Sequence, residues 1–266
     1  MTIPATPLYP LPVLSYPEDG NAFYRQLEED SFWFRHRNAC LLAALGRLPP
    51  EGAIHDVGGG NGFVARALQD AGYDTTLVEP GPVGAENARK LGVKKVIEAT
   101  LEEADLDEGS LAAIGIFDVL EHMPDEAGFL DGLHRHLRPG GRLYLTVPAY
   151  DALWSGEDEF AGHHRRYGRG ALAATLTRAG FDVEYLSHIF WLLPLPILLF
   201  RAIPSRLGLH RSGNTPARQR EHGAGGGIAN RAISAALSFE PRAIAAGRRI
   251  PFGGSLLCVA RARGAA

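Results

Sequence analysis

The chain has 266 residues, of which 45% are apolar and 21% charged, a formal net charge of −3, and two cysteines. Such a composition supports a well-packed core and excludes a disordered, collagen-like or disulfide-stapled chain. The slightly acidic balance argues against a nucleic-acid surface, and Cys40 and Cys258, far apart, form no metal or disulfide pattern, which suits a reducing cytoplasm.

Residues 1–20 read as an extended arm, with five prolines in the first 17 and neither the basic start nor the unbroken apolar stretch of a signal peptide. A helix is predicted near 22–47. A strand near 53–57 runs into Gly58-Gly59-Gly60-Asn61-Gly62 and a helix near 62–72, with Phe63, Ala67, Leu68 and Ala71 on one face. Further strands are predicted near 75–79, 94–98, 112–117, 141–147, 182–188 and 254–261, and further helices near 82–91, 126–137 and 169–179. Strands alternating with helices, several of them continuous apolar runs, imply a doubly wound, Rossmann-like α/β sheet covered on both faces. The expected division is an arm over 1–20, a core with a cap helix over 21–188, an insertion over 189–250, and the last strand and tail over 251–266.

The segment Ile54-His55-Asp56-Val57 followed by four glycines in five residues carries most of the functional signal. Glycine tolerates positive φ and lets another molecule lie against the backbone. A strand, a glycine turn and a helix N-terminus make a small-molecule cradle. Glu79 ends the next strand and would stand beside that loop, where a carboxylate can accept both hydroxyls of a ribose. A nucleoside-containing cofactor is expected. Gly60-Asn61-Gly62-Phe63-Val64-Ala65 also fits G-x-G-x-x-A, so a nicotinamide dinucleotide is a rival. Against it, Asp56 would face an incoming pyrophosphate but suits a cationic ligand. No tyrosine has a lysine four residues on, and the only lysines are Lys90, Lys94 and Lys95. No Gly-Lys-Ser/Thr follows the glycines, which excludes a P-loop.

Asp56 to Gly62, Glu79-Pro80, Phe117 to Asp125 and Leu137 to Leu143 together resemble the ordered motifs of class I S-adenosylmethionine-dependent methyltransferases, over roughly residues 30–190. His163-His164-Arg165-Arg166-Tyr167 resembles the H-x-R-R-Y segment that follows strand five in a bacterial subgroup. Phe32-Trp33-Phe34-Arg35-His36-Arg37 is similar to that subgroup's cap helix. The resemblance implies a seven-stranded sheet with one antiparallel strand, the last, between strands five and six. It implies S-adenosylmethionine as cofactor and S-adenosylhomocysteine as product. It assigns Gly58, Gly59, Gly60 and Gly62 to the methionine part, Asp56 to its ammonium and Arg37 to its carboxylate. Glu79 goes to the ribose, Pro80, Thr100 and Leu101 to the adenine region, and Phe117 and Asp118 to the neighbourhood of the methyl group. The acceptor-side candidates are His122, His163, His164, Arg166 and Tyr167, with histidines for a base and the pair Arg165 and Arg166 suited to an anionic acceptor. No metal is expected. His134 and His136 are expected to be solvated on a surface helix.

About 65 residues separate strands six and seven where a short connection suffices. This stretch begins with the apolar run 189–200, interrupted by Pro194 and Pro196 and too short to span a bilayer, and continues through a flexible Gly223–Gly227 to a helix-like stretch from Ile228 to about Arg248. Residues 201–266 hold eleven arginines against two acids, a balance of +9, which leaves −12 on residues 1–200. Peripheral contact through 189–220 with an anionic membrane at the inner face, a lid and a homodimer contact all remain open. The expected acceptor is a small or lipid-linked molecule, anionic or amphiphilic. A silent nucleoside-binding module and an NAD(P)-dependent oxidoreductase are the alternatives.

Overall fold

The structure is a computed structural model and describes residues 31–209 and 228–264. The sequence-predicted arm, residues 22–30 of the first helix and the Gly223–Gly227 run lie outside the described residues. Helix α1 (Phe32–Arg47) starts where Ser31, in an extended conformation, accepts a hydrogen bond from Trp33 N–H at 3.1 Å. Within the described residues the helix thus begins at Phe32. Then follow β1 (Ile54–Val57), α2 (Phe63–Asp70), β2 (Thr75–Val78), α3 (Pro82–Leu91), β3 (Val96–Ile97), β4 (Leu111–Phe117), α4 (Glu126–His136), β5 (Leu137–Pro148), α5 (Gly156–Ala161), α6 (Arg169–Arg178) and β6 (Phe181–Ile189). The connection to β7 (Ser255–Ala262) contains α7, a helical run over 194–206 with a π turn at Leu198–Ala202. It also contains α8 (Ile228–Leu237) and α9 (Phe239–Ala245).

The sheet order is β3-β2-β1-β4-β5-β7-β6. All neighbours are parallel except β7, which runs antiparallel to both β5 and β6. The expected sheet is therefore present, with its last strand in the expected slot. Period-two alternation divides the core between its faces. On one, Leu143, Leu145 and Val147 of β5 and Leu256, Cys258 and Ala260 of β7 meet Leu130 and Leu133 of α4 and Leu172 and Leu176 of α6. On the other, Tyr144, Leu257 and Val259 meet Leu41, Leu45, Val64, Leu68 and Ile244 from α1, α2 and α9.

Three expectations about single elements change. The stretch from Ile228 is two helices, broken at Ser238. The proline-containing run 189–200 folds as the end of β6 and the start of α7. His136 is buried, its Nδ1–H donating to Gly132 O at 2.9 Å, and His134 stands edge-on to Phe181 with centroids 5.2 Å apart. The last turn of α4 therefore faces the core. Both cysteines are free and buried, and burial pushes both thiols up. We expect neither to react with a thiol-titrating disulfide reagent in the native chain and both to react in urea; a native count of one or more would overturn the packing described for α1 and β7.

Candidate active site

A cavity of about 270 Å³ opens at the carboxyl ends of β1 and β4, roofed by α1 and by the connection that follows β6. The strand order reverses between β1 and β4, the place where open α/β sheets bind ligands. Its floor is the glycine loop. Gly58, Gly60 and Gly62 have φ of 71°, 55° and 83°, in the left-handed region. A Cβ on Gly59 would overlap Leu77 and lie 2.5 Å from Asp56 Oδ2. Only glycine lets this turn sit against the carboxylate below it.

That carboxylate is fully buried, and neither oxygen has a hydrogen-bond partner. Burial raises the Asp56 pKa to about 7, although the nearby Arg37 charge pulls the other way. A buried acid without a partner, in the wall of a cavity, fits the ammonium of a bound ligand. Glu79 is buried beside it, accepting Gly60 N–H and Gly81 N–H at 2.8 Å each, and burial raises its pKa too. The glycine loop and Glu79 thus hold each other in place, with the end of β2 beside the end of β1.

The roof comes from Trp33 and Phe34 of α1 and from Phe190. Trp33 stacks on Phe190 with centroids 5.1 Å apart. Arg37 lies over both α1 aromatic rings and is paired with Asp118. Arg37 is buried, so its partner in this structure is a strand-end acid and it is no surface salt bridge. Asp118, Tyr150 and Phe190, just beyond β4, β5 and β6, all have positive φ, at 58°, 60° and 62°. Backbone strain of this kind persists only where surroundings over-determine it. At Phe190 the restraint is Glu240 of α9. Its carboxylate accepts Phe190 N–H at 2.8 Å and Trp191 N–H at 2.7 Å, with His36 Nε2 at 2.7 Å.

His122, His163, Arg166 and Glu121 line the same cavity. Asp158 organises this group. It completes a capping box with Ser155 at the start of α5. It accepts two hydrogen bonds from Arg166, at 2.8 and 3.0 Å, and one from His163 Nδ1–H at 2.9 Å. Burial would raise its pKa, but the His163 hydrogen bond and the Arg166 charge outweigh that and hold it below the usual carboxylate value. His122 donates Nδ1–H to Gly162 O at 3.4 Å, and its ring meets that of His163 edge-on at 4.8 Å. Burial and the facing His163 push the His122 pKa down to about 4, so its ring is neutral at neutral pH.

Of the residues singled out in the sequence, Arg37, Asp56, Gly58, Gly59, Gly60, Phe117, Asp118, His122, His163 and Arg166 line one cavity. Glu79 supports it through Gly60, and Gly62 caps α2 just behind it. Pro80 is exposed, Thr100 holds a turn by bonding Glu103, and Leu101 is buried in the core; none of the three lines the cavity. His164 is exposed outside it, and Tyr167 is buried behind it, donating to Glu126 at 2.8 Å. Sequence reasoning missed Asp158, Phe190 and the cavity face of α7. The S-x-x-D pattern at Ser155–Asp158 was a usable signal for the first; the other two carry no local signature.

Residues 28–186 match the family model described as a methyltransferase domain. A ubiquinone biosynthesis O-methyltransferase of Xylella fastidiosa is 30% identical over 147 residues, covering 47% of this chain and 60% of that relative. A protein of Mycolicibacterium smegmatis, named as a probable S-adenosylmethionine-dependent methyltransferase, is 28% identical over 183 residues, covering 65% and 68%. Among solved structures, a chain of the Haloferax volcanii complex between the Trm112 methyltransferase activator and a methyltransferase superposes with a TM-score of 0.58 at 18% identity. It covers 94% of this chain and 97% of that one, and supports the fold. With the family model spanning more than half its length, the chain belongs to the class I S-adenosylmethionine-dependent methyltransferases.

Proposed function

We propose that this chain moves the methyl group of S-adenosylmethionine to an oxygen of a small, amphiphilic acceptor, lipid-linked or free and carrying an acidic group. The observation that carries the cofactor half is the partnerless, buried Asp56 carboxylate beneath the glycine loop. In this reading Asp56 receives the cofactor ammonium and the backbone of 58–62 lies along its methionine part. Glu79 takes the ribose, with Pro80, Thr100 and Leu101 nearer the adenine, and Phe117 and Asp118 stand by the reacting carbon. The bound cofactor supplies a methyl group already activated by a positive sulfur. What remains for the protein is alignment, worth about 7–11 kcal/mol where reacting groups are well oriented, and exclusion of water. Trp33, Phe34 and Phe190 serve the second purpose.

On the acceptor side, His122 or His163 takes a proton at Nε2, since each Nδ1–H is already donated. Arg166 faces an acidic group, while His164 and Tyr167 shape the loop from outside the cavity. The Xylella relative is an O-methyltransferase by name, which favours an oxygen acceptor. The amphiphilic character is read from α7. Leu193, Ile197 and Arg201 line the cavity, while Leu195, Leu199, Phe200 and Leu207 on and just after the same run are largely exposed. No helix of the described residues is long and apolar enough to cross a membrane. Apolar side chains beside arginine suit shallow contact with an anionic bilayer at its cytoplasmic face, with a homodimer contact as the competing use of that surface.

Incubation with methyl-labelled S-adenosylmethionine and a cell extract, then separation into lipid and aqueous fractions, tests the proposal. Label is expected in a lipid-extractable product with wild type and not with Asp56→Asn. Label confined to water-soluble products would refute the amphiphilic acceptor, and no transfer from any extract would refute the activity.

A further inference from the structure

Two clusters of three metal-ligating side chains occur among the described residues: His36, Cys40 and Glu240, and Glu121, His122 and His163. They differ in what their donor atoms already do. In the first, Glu240 is committed to two backbone N–H groups and His36, and none of the three side chains lines the cavity. In the second, all three side chains line it, and the atoms that would bind an ion are the ones left over.

We propose that Glu121, His122 and His163 bind one divalent cation in the acceptor-side wall of the cavity. Their ligand atoms lie within 4.8 Å of one another. His163 Nε2 stands 4.0 Å from Glu121 Oε1, too far for a hydrogen bond. Two ligands on one tetrahedral ion at ~2.1 Å stand about 3.4 Å apart, so a modest inward turn of these side chains completes the site. Both imidazoles are pre-set for it. His163 donates Nδ1–H to Asp158, which Arg166 holds from the other side. A carboxylate gripping the far nitrogen is the usual support of a ligating histidine. His122 donates Nδ1–H to a carbonyl. Each ring therefore keeps its Nε2 lone pair free.

Glu121 provides the independent sign. Its side chain is 1% exposed, and neither oxygen has a hydrogen-bond partner. A fully buried carboxylate in that state costs several kcal/mol unless a proton or a cation joins it. The cavity lining holds five carboxyl groups (Asp56, Asp118, Glu121, Glu157, Asp158) and three guanidinium groups (Arg37, Arg166, Arg201). Arg37 is paired with Asp118 and Arg166 with Asp158. Asp56 and Glu121 are the two whose oxygens have no hydrogen-bond partner. The cofactor brings positive charge to the first, and a metal ion answers the second.

Two imidazole nitrogens and one carboxylate favour zinc, iron(II), cobalt or manganese over magnesium or calcium, which prefer all-oxygen shells. Three protein ligands leave a coordination position open to the cavity. If the methyl-transfer reading above holds, an ion held there would replace the histidine base: it would lower the pKa of an acceptor hydroxyl in the open position, and the proton would pass to solvent. The oxygen then takes the methyl group and the sulfur keeps the carbon–sulfur electron pair. An acceptor with two adjacent oxygens would chelate the ion and gain most. The metal site itself does not depend on that reading.

The test uses the full chain without an affinity tag, stripped with a chelator and dialysed. Zn2+ uptake is followed by calorimetry, Co2+ by its visible absorption, and S-adenosylhomocysteine binding separately. We expect one Zn2+ per chain, weakened at least 100-fold by Glu121→Gln or His163→Ala and 10- to 100-fold by Asp158→Asn. The exposed neighbour variant His164→Ala should keep full uptake. No saturable uptake by wild type, or equal uptake by Glu121→Gln and His163→Ala, would overturn the site, with retained S-adenosylhomocysteine binding showing that those variants are folded. Zinc uptake without S-adenosylhomocysteine binding would leave the site standing and remove the cofactor reading.

Discussion

Asp56→Asn is expected to weaken S-adenosylhomocysteine binding about 100-fold while making the ligand-free chain more stable. The two effects have one cause. In the free protein the carboxylate is buried without a partner, and its pKa is raised to about 7 from 3.8. Its protonated form is therefore the one the fold favours. The associated stability is fully present below the unfolded pKa and is lost as pH rises toward 7, a loss of roughly 4 kcal/mol at most. The amide escapes that loss. Ligand binding needs the opposite state, an anion facing an ammonium, and loss of one partner from a buried charge pair costs about 2–5 kcal/mol. Two measurements separate the proposal from a plain packing role. Wild-type affinity should fall up to tenfold per pH unit below about 7, and the Asp56→Asn dependence should be flat there. A variant that binds as well as wild type, or melts lower at neutral pH, would refute the assignment.

The second large effect is on stability. Glu240 is fully buried, and three hydrogen bonds converge on its carboxylate from Phe190 N–H, Trp191 N–H and His36. Glu240→Ala leaves three donors without this acceptor, two of them buried and that of Trp191 half-buried, at about 1–3 kcal/mol each before relaxation. Partial rescue by water reduces this to roughly 3–5 kcal/mol, a fall in melting temperature of about 10 °C for a chain of this size. Phe190 also depends on that bond to stay at φ 62°, so its ring should leave the cavity roof and cofactor affinity should drop together with stability. Glu240→Gln keeps the shape and one acceptor oxygen and should fall between. A melting temperature lowered by less than 3 °C in the alanine variant would show that the clamp is not what holds the roof.

The parts of the site legible in the sequence were those with short-range rules. Four glycines in five residues after an apolar strand announce a turn that needs positive φ, and continuous apolar runs announce strands buried on both faces. Residues whose role depends on distant partners carried no such mark. Glu240 meets His36 across 204 positions, and nothing near it in sequence says that it is buried. His136 looked solvated because the helical period of α4 places its last turn ambiguously between core and surface. The prolines of α7 looked like interruptions. Pro194 instead opens the helix, where no amide donor is needed, and Pro204 follows a π turn that absorbs the break in the ladder. Proline spacing alone could not distinguish these cases.

The slot taken by β7 has a consequence for biosynthesis. β6 borders only β7 in the sheet, and 65 residues separate Ile189 from Ser255. A ribosome adding about 5–20 residues per second needs roughly 3–13 s to supply that partner. During this interval a nascent strand ending in Leu186 and Ile189 stands unpaired at an open edge, the arrangement most prone to intermolecular pairing. Slower translation of the connection should therefore increase aggregation and the demand for chaperones.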